Sequence, residues 1–315
     1  MAVPTIKFNN DVDIPVIGIG TWKSPPEKVF QAVKDAIDIG YRHVDCAFAY
    51  GNEKEVGNAI ASKISEGVIQ RKDIFITSKL WNTFHRPGIV ESALRTTLQN
   101  LQLEYVDLYL VHWPMGYEEG PIAHPKRATG ELLVSEYDYV ETWKAMEEVY
   151  KKGLARAIGI SNFNSKQIER LLKTAQVVPV INQVECHPFL NQKKLIEFCK
   201  AMGIQIECYS PLGSPGRLER KPEDPVVLEN SHLMAIAKKH QKSPAQVALR
   251  YQIQRGNIVI PKSVTKSRIE ENFNVFDFQL STEDMAVVDD MNINMRFIQP
   301  AGAASHQYYP FNEEF

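Results

Sequence analysis

Asp45, Tyr50, Lys79 and His112 each stand where a short apolar run gives way to polar residues, and their types combine into one piece of chemistry. A carboxylate, a phenol, an amine and an imidazole gathered in one pocket can hold a proton, tune its release and aim it at an oxygen atom. The runs that carry them are His43-Val44-Asp45, Ile74 to Lys79 and Val106 to His112, β-branched and aromatic enough to form buried strands. Such an arrangement points to an enzyme.

The same polar termination recurs along the chain. Val16 to Ile19 ends in Thr21-Trp22-Lys23, Ala155 to Ile160 in Ser161-Asn162, and Val180-Ile181 in Asn182-Gln183. Ile204 to Cys208 ends in Tyr209-Ser210, and Ile258 to Ile260 in Pro261-Lys262-Ser263. With the first three runs these make eight expected strands. Helical periodicity occupies the intervals, as at Val29, Phe30, Val33 and Ile37, at Ile89, Val90, Ala93, Leu94 and Leu98, and at Ile168, Leu171, Leu172 and Ala175. Pro87 suits the first turn of the third helix, while Asn164 with Gln167 and Ser281 with Asp284 read as capping boxes. The pattern predicts an α/β fold: a closed (β/α)8 TIM barrel of eight parallel strands, with the functional groups at the C-terminal strand ends. A doubly wound open sheet shares the alternation and is the competing architecture. Polar endings on all eight strands favour the barrel.

The chain of 315 residues exceeds the about 250 that such a barrel takes, leaving roughly 65 for loops and a tail. A single domain spanning residues 1–315 is therefore expected. Met115 to Glu136, Gly213 to Asn230 and Ile293 to Phe315 are the long connections, and they should cover the pocket. A net charge of -2 provides no basic field for nucleic acid, and no apolar run is long enough for a bilayer. Four cysteines without CxxC spacing, and a start lacking a signal peptide's apolar centre, fit a reducing cytoplasm. The expected partner is a small molecule, not nucleic acid or membrane.

Three motif decoys can be set aside. Gly18 to Lys23 opens like a dinucleotide fingerprint but carries Lys23 where the third glycine belongs. Gly159 to Phe163 imitates a hydrolase elbow until Phe163, and the eight histidines contain no HExxH pair, so no catalytic metal is expected. What remains is a set of motifs in order. Gly40-Tyr41-Arg42-His43-Val44-Asp45 with Tyr50-Gly51-Asn52-Glu53, then Ser78-Lys79-Leu80-Trp81, Val111-His112-Trp113-Pro114, Gly159 to Phe163 and Ile260-Pro261-Lys262-Ser263 resemble the aldo-keto reductase superfamily. The resemblance is closest to the aldose reductase and aldehyde reductase branch and covers essentially the whole chain. It implies a TIM barrel, NADPH and carbonyl reduction.

Reducing a carbonyl takes a hydride at carbon and a proton at oxygen, and no side chain supplies the hydride, so a nicotinamide must. The proton falls to the protein. A tyrosine at about 10 is expected to drop by about 1 to 3 units beside an ammonium, towards neutrality. Lys79 is the candidate ammonium, Asp45 keeps it charged, and His112 orients the substrate oxygen. By the resemblance, Tyr50 is the general acid. Singly these residues read as an ion pair, a core histidine and a wall tyrosine; together, in those motifs, they read as catalytic.

The resemblance also assigns the cofactor's neighbours. Ser161, Asn162 and Gln183 match the carboxamide ligands, Tyr209 the aromatic that stacks on the nicotinamide, and Gly20, Thr21, Trp22 and Lys23 the first strand's contacts. Ser210, Leu212 and Ser214 would line the pyrophosphate. Lys262, Ser263 and Arg268 match the group around the 2'-phosphate, which favours NADPH over NADH, and Glu271 with Asn272 match the adenine contacts. For substrate, Trp22, Trp81, His112 and Trp113 keep the expected walls. His124, Glu219, Met295 and Ile298 stand where relatives carry Phe, Trp, Trp and Cys, so a wider, less aromatic pocket is expected, suited to a hydrophobic aldehyde or steroid-like ketone. Gly216 replaces an aspartate that clasps basic residues over the pyrophosphate, which implies faster NADP release unless Glu219 substitutes. The resemblance implies a monomer. It also leaves open a different class of function, since some relatives are NADPH-binding regulatory subunits or structural lens proteins.

Overall fold

Successive side chains of a strand face opposite sides, and the computed structural model, which describes residues 3–217 and 220–315, shows this chain burying both. β1 (Thr5–Lys7) and β2 (Asp13–Pro15) form an antiparallel hairpin. β3 (Ile19–Gly20), β4 (His43–Asp45), β5 (Phe75–Leu80), β6 (Leu108–Val111), β7 (Ile158–Ser161), β8 (Ile181–Glu185), β9 (Gln205–Tyr209) and β10 (Ile258–Val259) then make one parallel sheet whose spatial order is the chain order. Gly18 N donates to Val259 O at 2.9 Å and Val259 N to Val16 O at 3.0 Å, so the last strand pairs with the first. The ring is closed. A doubly wound sheet reverses its strand order and keeps two edges; sequential order with closure is the (β/α)8 barrel.

The helices are α1 (Pro26–Ile39), α2 (Glu53–Ser65), α3 (Val90–Leu101), α4 (Tyr139–Lys151), α5 (Ser165–Leu172), α6 (Lys193–Ala201), α7 (Ser231–His240), α8 (Pro244–Gln254), α9 (Lys266–Phe273) and α10 (Thr282–Asp289). Helix α1 shows why they lie where they do. Proline at its start needs no partner for a missing N–H, its stripe of Val29, Ala32, Val33, Ala36 and Ile37 is buried, and Gly40 ends it at φ 126°. Each larger apolar side chain so buried contributes about 1.5 to 3 kcal/mol. Both expected capping boxes form, at Asn164–Gln167 before α5 and Ser281–Asp284 before α10. Pro87 opens a 3-10 turn that runs straight into α3.

Among the described residues, the eight barrel strands and ten helices leave two helices outside the repeat. Helices α7 and α10 contribute Leu233, Ile236 and Val288 to a separate apolar cluster with Val247 and Tyr251 of α8. The amino-terminal hairpin is a second addition that the sequence pattern did not reveal. Phe8 and Ile14 meet Phe75, Leu108, Ile181 and Ile258, the residues that begin four barrel strands, and so plug the barrel's N-terminal mouth. The opposite mouth is covered as expected by the long loops. Trp81 Nε1 donates to Ala123 O at 2.7 Å, the Phe311 ring lies 5.8 Å from that of Trp113, and the Arg217 guanidinium sits 4.1 Å over Phe297. No helix among the described residues is long and apolar enough to cross a membrane.

Candidate active site

Lys79, on β5, is wholly buried inside the barrel mouth, where an uncompensated ammonium would cost several kcal/mol. Compensation comes from β4. Lys79 Nζ lies 2.7 Å from both Asp45 oxygens and 3.0 Å from the Cys46 carbonyl, and its remaining contact is Tyr50 OH at 3.3 Å. Burial opposes the lysine's charge, but Asp45, with Tyr50 and Glu207, outweighs it and the ammonium's hold on its proton is raised. Tyr50 reaches this point because β4 runs directly into a short 3-10 turn, Phe48–Tyr50, closed by Gly51 at φ 67°.

The phenol departs from the sequence expectation. Burial raises its hold on the proton, the Lys79 ammonium lowers it, and Asp45 raises it again, so the net shift of Tyr50 is upward and not towards neutrality. The physical reason is that desolvation penalises a phenolate more than the ammonium favours it, and Asp45 offsets part of the ammonium's field. At neutral pH the tyrosine therefore holds a proton, with a cation ready to stabilise what is left when it departs.

His112 follows β6, its ring centroid 5.7 Å from that of Tyr50 and 5.1 Å from that of Trp81. Burial and the Lys79 charge push its imidazole well below the usual histidine range, so the ring is neutral. Its Nδ1 is buried without a partner. Trp81 and Trp113 are buried beside it, Trp22 is half-buried, and His124, though exposed, places its ring 5.2 Å from Trp81. Ile298 is half-buried and held by its backbone N–H, which donates to Glu185 at 3.0 Å, so the tail is tied to the end of β8. Met295 is half-buried in the same tail. Glu219 lies outside the described residues.

Four of the expected cofactor residues join one network at the same mouth. Ser161 Oγ donates to the Gln183 carbonyl at 2.8 Å, Asn162 Nδ2 to the His112 carbonyl at 3.0 Å, and Tyr209 OH to Asn162 Oδ1 at 2.8 Å. Gln183 Nε2 reaches Asp45 Oδ2 at 2.8 Å, joining this group to the Lys79 pair. Asn162, Ser210 and Ser214 adopt φ of 64°, 48° and 46°, unusual for residues with a Cβ and typical of a site where the surrounding structure holds strain. Leu212 lies in that turn, and Gly213 N closes it on Ser210 O at 2.8 Å. Gly20 and Thr21 lie at the end of β3, where Thr21 Oγ1 donates to the Asp45 carbonyl at 2.9 Å.

A test of fit for an anionic cofactor comes from Lys262. Partial burial and the charges of Lys23 and Lys28 lower its hold on a proton, so three cations are gathered where a phosphate would relieve their repulsion. Arg268 is exposed on α9 nearby, and Ser263 Oγ accepts from Thr265 N at that helix's start. Glu271 is less free than expected, since its carboxylate accepts from Ser243 Oγ, and Asn272 is buried. The residues present suit a phosphorylated dinucleotide. At the site of the missing clasp, Gly216 is exposed and the neighbouring Arg217 pairs with Asp224. Among the described residues no group of three or more His, Cys, Asp or Glu is arranged to hold a metal ion.

Two buried carboxyl groups escaped the sequence reading. Glu185 is buried at the end of β8 and accepts from Phe297 N and Ile298 N. Glu207 is buried in β9 and accepts from Gln183 Nε2. The alternation of Glu207 with Cys208 and Tyr209 was the available signal, because a period of two puts Glu207 on the same barrel face as Tyr209.

The chain's similarities agree with this geometry. The family model described as aldo/keto reductase family matches residues 16–293. The chain is 51% identical over 312 residues to aldo-keto reductase family 1 member A1 of Xenopus tropicalis, covering 96% of this chain and 95% of that one. It is 49% identical to the protein of the same name from Bos taurus, with all of both chains covered. Among solved structures, the aldose reductase from Schistosoma japonicum superposes with a TM-score of 0.94 at 45% identity, covering 99% of this chain and all of that one.

Proposed function

The chain belongs to the aldo/keto reductase family of oxidoreductases, and from that premise we propose that it reduces aldehydes or ketones to alcohols with NADPH. The observation that carries this reading is the line of contacts from Asp45 through Lys79 to Tyr50, 2.7 Å and then 3.3 Å, opening on a neutral His112. When bound, the nicotinamide supplies the hydride. Ser161, Asn162 and Gln183 would hold its carboxamide and Tyr209 its ring. Gly20, Thr21, Trp22 and Lys23 would line the cofactor beside the first strand, Ser210, Leu212 and Ser214 would hold the diphosphate, and Lys262, Ser263, Arg268, Glu271 and Asn272 the adenosine end.

The protein's own part is the proton. A carbonyl oxygen entering between Tyr50 and His112 meets two hydrogen-bond donors, the phenol and the one N–H of the neutral imidazole. As negative charge grows on that oxygen, Tyr50 releases its proton to it. Lys79 stabilises the tyrosinate left behind, and Asp45 keeps the ammonium in place. Trp22, Trp81, Trp113, His124 and Ile298 would wall the substrate, which favours a hydrophobic aldehyde or steroid-like ketone over a sugar.

Following the loss of NADPH absorbance with a panel of aldehydes, ketones and sugars tests the reading. Turnover is expected with the hydrophobic carbonyls above the sugars; no carbonyl-dependent loss rejects the activity. A second expectation concerns Arg268. Its replacement in Arg268→Ala weakens NADPH binding by about tenfold or more and leaves NADH nearly unchanged, because only the former carries the 2'-phosphate. Fluorescence titration of both cofactors measures this, and equal losses count against the assignment.

A further inference from the structure

Glu207 lies in register with Gln183 on the neighbouring strand, fully buried inside the barrel, and the chemistry above gives it no task. Its Oε2 accepts from Gln183 Nε2 at 2.5 Å, while the same nitrogen donates to Asp45 Oδ2 at 2.8 Å. Both hydrogens of that amide thus go to carboxyl groups, one on β4 and one on β9. Glu207 is one amide away from the carboxylate that grips Lys79. Its Oε1 has no hydrogen-bond partner and lies 3.6 Å from His43 Nε2.

The charged and titratable groups that face it are His43 and Asp45 from β4 and Lys79 from β5. His43 is driven down to about 3 by burial and by Lys79, so it brings no positive charge. Glu207 itself is pushed up to about 8 by burial and then by Asp45, against the pull of Gln183 and Lys79. Two carboxyl groups served by one amide and one ammonium do not ionise together easily.

We propose that Glu207 is a positioning residue for carbonyl reduction, sharing the Gln183 amide with Asp45 and thereby holding the Asp45–Lys79 pair against Tyr50. The inference rests on the proposed reductase activity. While Glu207 is neutral, Asp45 keeps its share of the amide. Ionisation draws the amide towards Glu207 and places a second negative charge behind the ammonium. That charge strengthens the phenol's hold on its proton and slows donation. Turnover should therefore fall as pH rises through the range in which Glu207 ionises.

Glu207→Gln keeps the shape and can never ionise; Glu207→Leu offers Gln183 no acceptor at all. The pH profile of kcat, measured on both variants and the unaltered protein, separates positioning from packing. The alkaline fall of kcat is expected to move up by at least about one pH unit in Glu207→Gln, and Glu207→Leu to lose about tenfold in kcat at every pH. Thermal melting provides the check on folding. A carboxyl whose proton is held more tightly in the folded state contributes stability at pH values below its unfolded value and loses it as pH rises to about 8. Glu207→Gln should accordingly melt above the unaltered protein at pH 8, with the gap closing towards pH 5. An alkaline limb in folded Glu207→Gln that superimposes on that of an active unaltered protein overturns this inference alone. An unaltered protein that turns over no carbonyl overturns it together with the activity it rests on.

Discussion

Tyr50→Phe lowers kcat by at least about a hundredfold and leaves NADPH affinity within about twofold. The hydroxyl is the proton carried at the head of the Lys79 contact, and its removal leaves the ring, the half-buried wall and the Asp45–Lys79 pair where they are. His112, held neutral by burial and by Lys79, can orient a carbonyl but is poorly placed to replace the lost acid, because forming an imidazolium there is what its environment disfavours. Stopped-flow turnover with parallel cofactor titration measures both halves of the expectation. Near-normal turnover removes Tyr50 from the mechanism; a matching loss of NADPH affinity would instead make the residue a binding contact.

Lys79→Met has the second large effect, and it falls on stability as well as activity. Asp45 would remain buried with no ammonium against it, which costs about 3 to 5 kcal/mol and lowers Tm by roughly 10 °C. In the unaltered protein the lysine's hold on its proton is raised by Asp45, so its contribution is complete below the ordinary lysine value of 10.5 and is lost only as pH rises through the higher folded value. At neutral pH all of it is present. Adding Asp45→Asn to Lys79→Met removes the stranded charge, so the double variant recovers much of the lost Tm. It recovers no activity, since the phenol still lacks its cation. Calorimetry on the pair makes the distinction: a double variant no more stable than the single one shows that the ion pair is not what Lys79 contributes.

The parts of this molecule that depend on neighbours in the chain were legible from residue types. Eight apolar runs with polar ends, the capping boxes at Asn164 and Ser281, and the coverage of one barrel mouth by the connections 115–136 and 293–315 all reappear in the structure, with Arg217 of the third connection over Phe297 of the tail. The convergence of Asp45, Tyr50, Lys79 and His112 was legible too, because parallel strands in a barrel deliver their C-terminal ends to one place whatever lies between them. The hairpin plug was not legible, since two three-residue strands carry too few alternations to register, and neither was α7, which packs on α8 and α10 and not on the sheet.

What the amino-acid order determined by itself was the set of strands, their polar endings and hence the kinds of group at the mouth. Tertiary structure alone decided how those groups hold their protons. Tyr50 was expected to bind its proton less tightly beside Lys79, yet burial penalises the phenolate and Asp45 stands behind the same ammonium, so the balance reverses. Gln183 lies 138 residues from Asp45 in the chain and 24 from Glu207, and only closure of the ring brings both carboxyl groups to one amide. Periodicity reports which face a residue takes. Proton affinity depends on distances and dehydration between strands far apart in sequence, and those exist only once the barrel has closed.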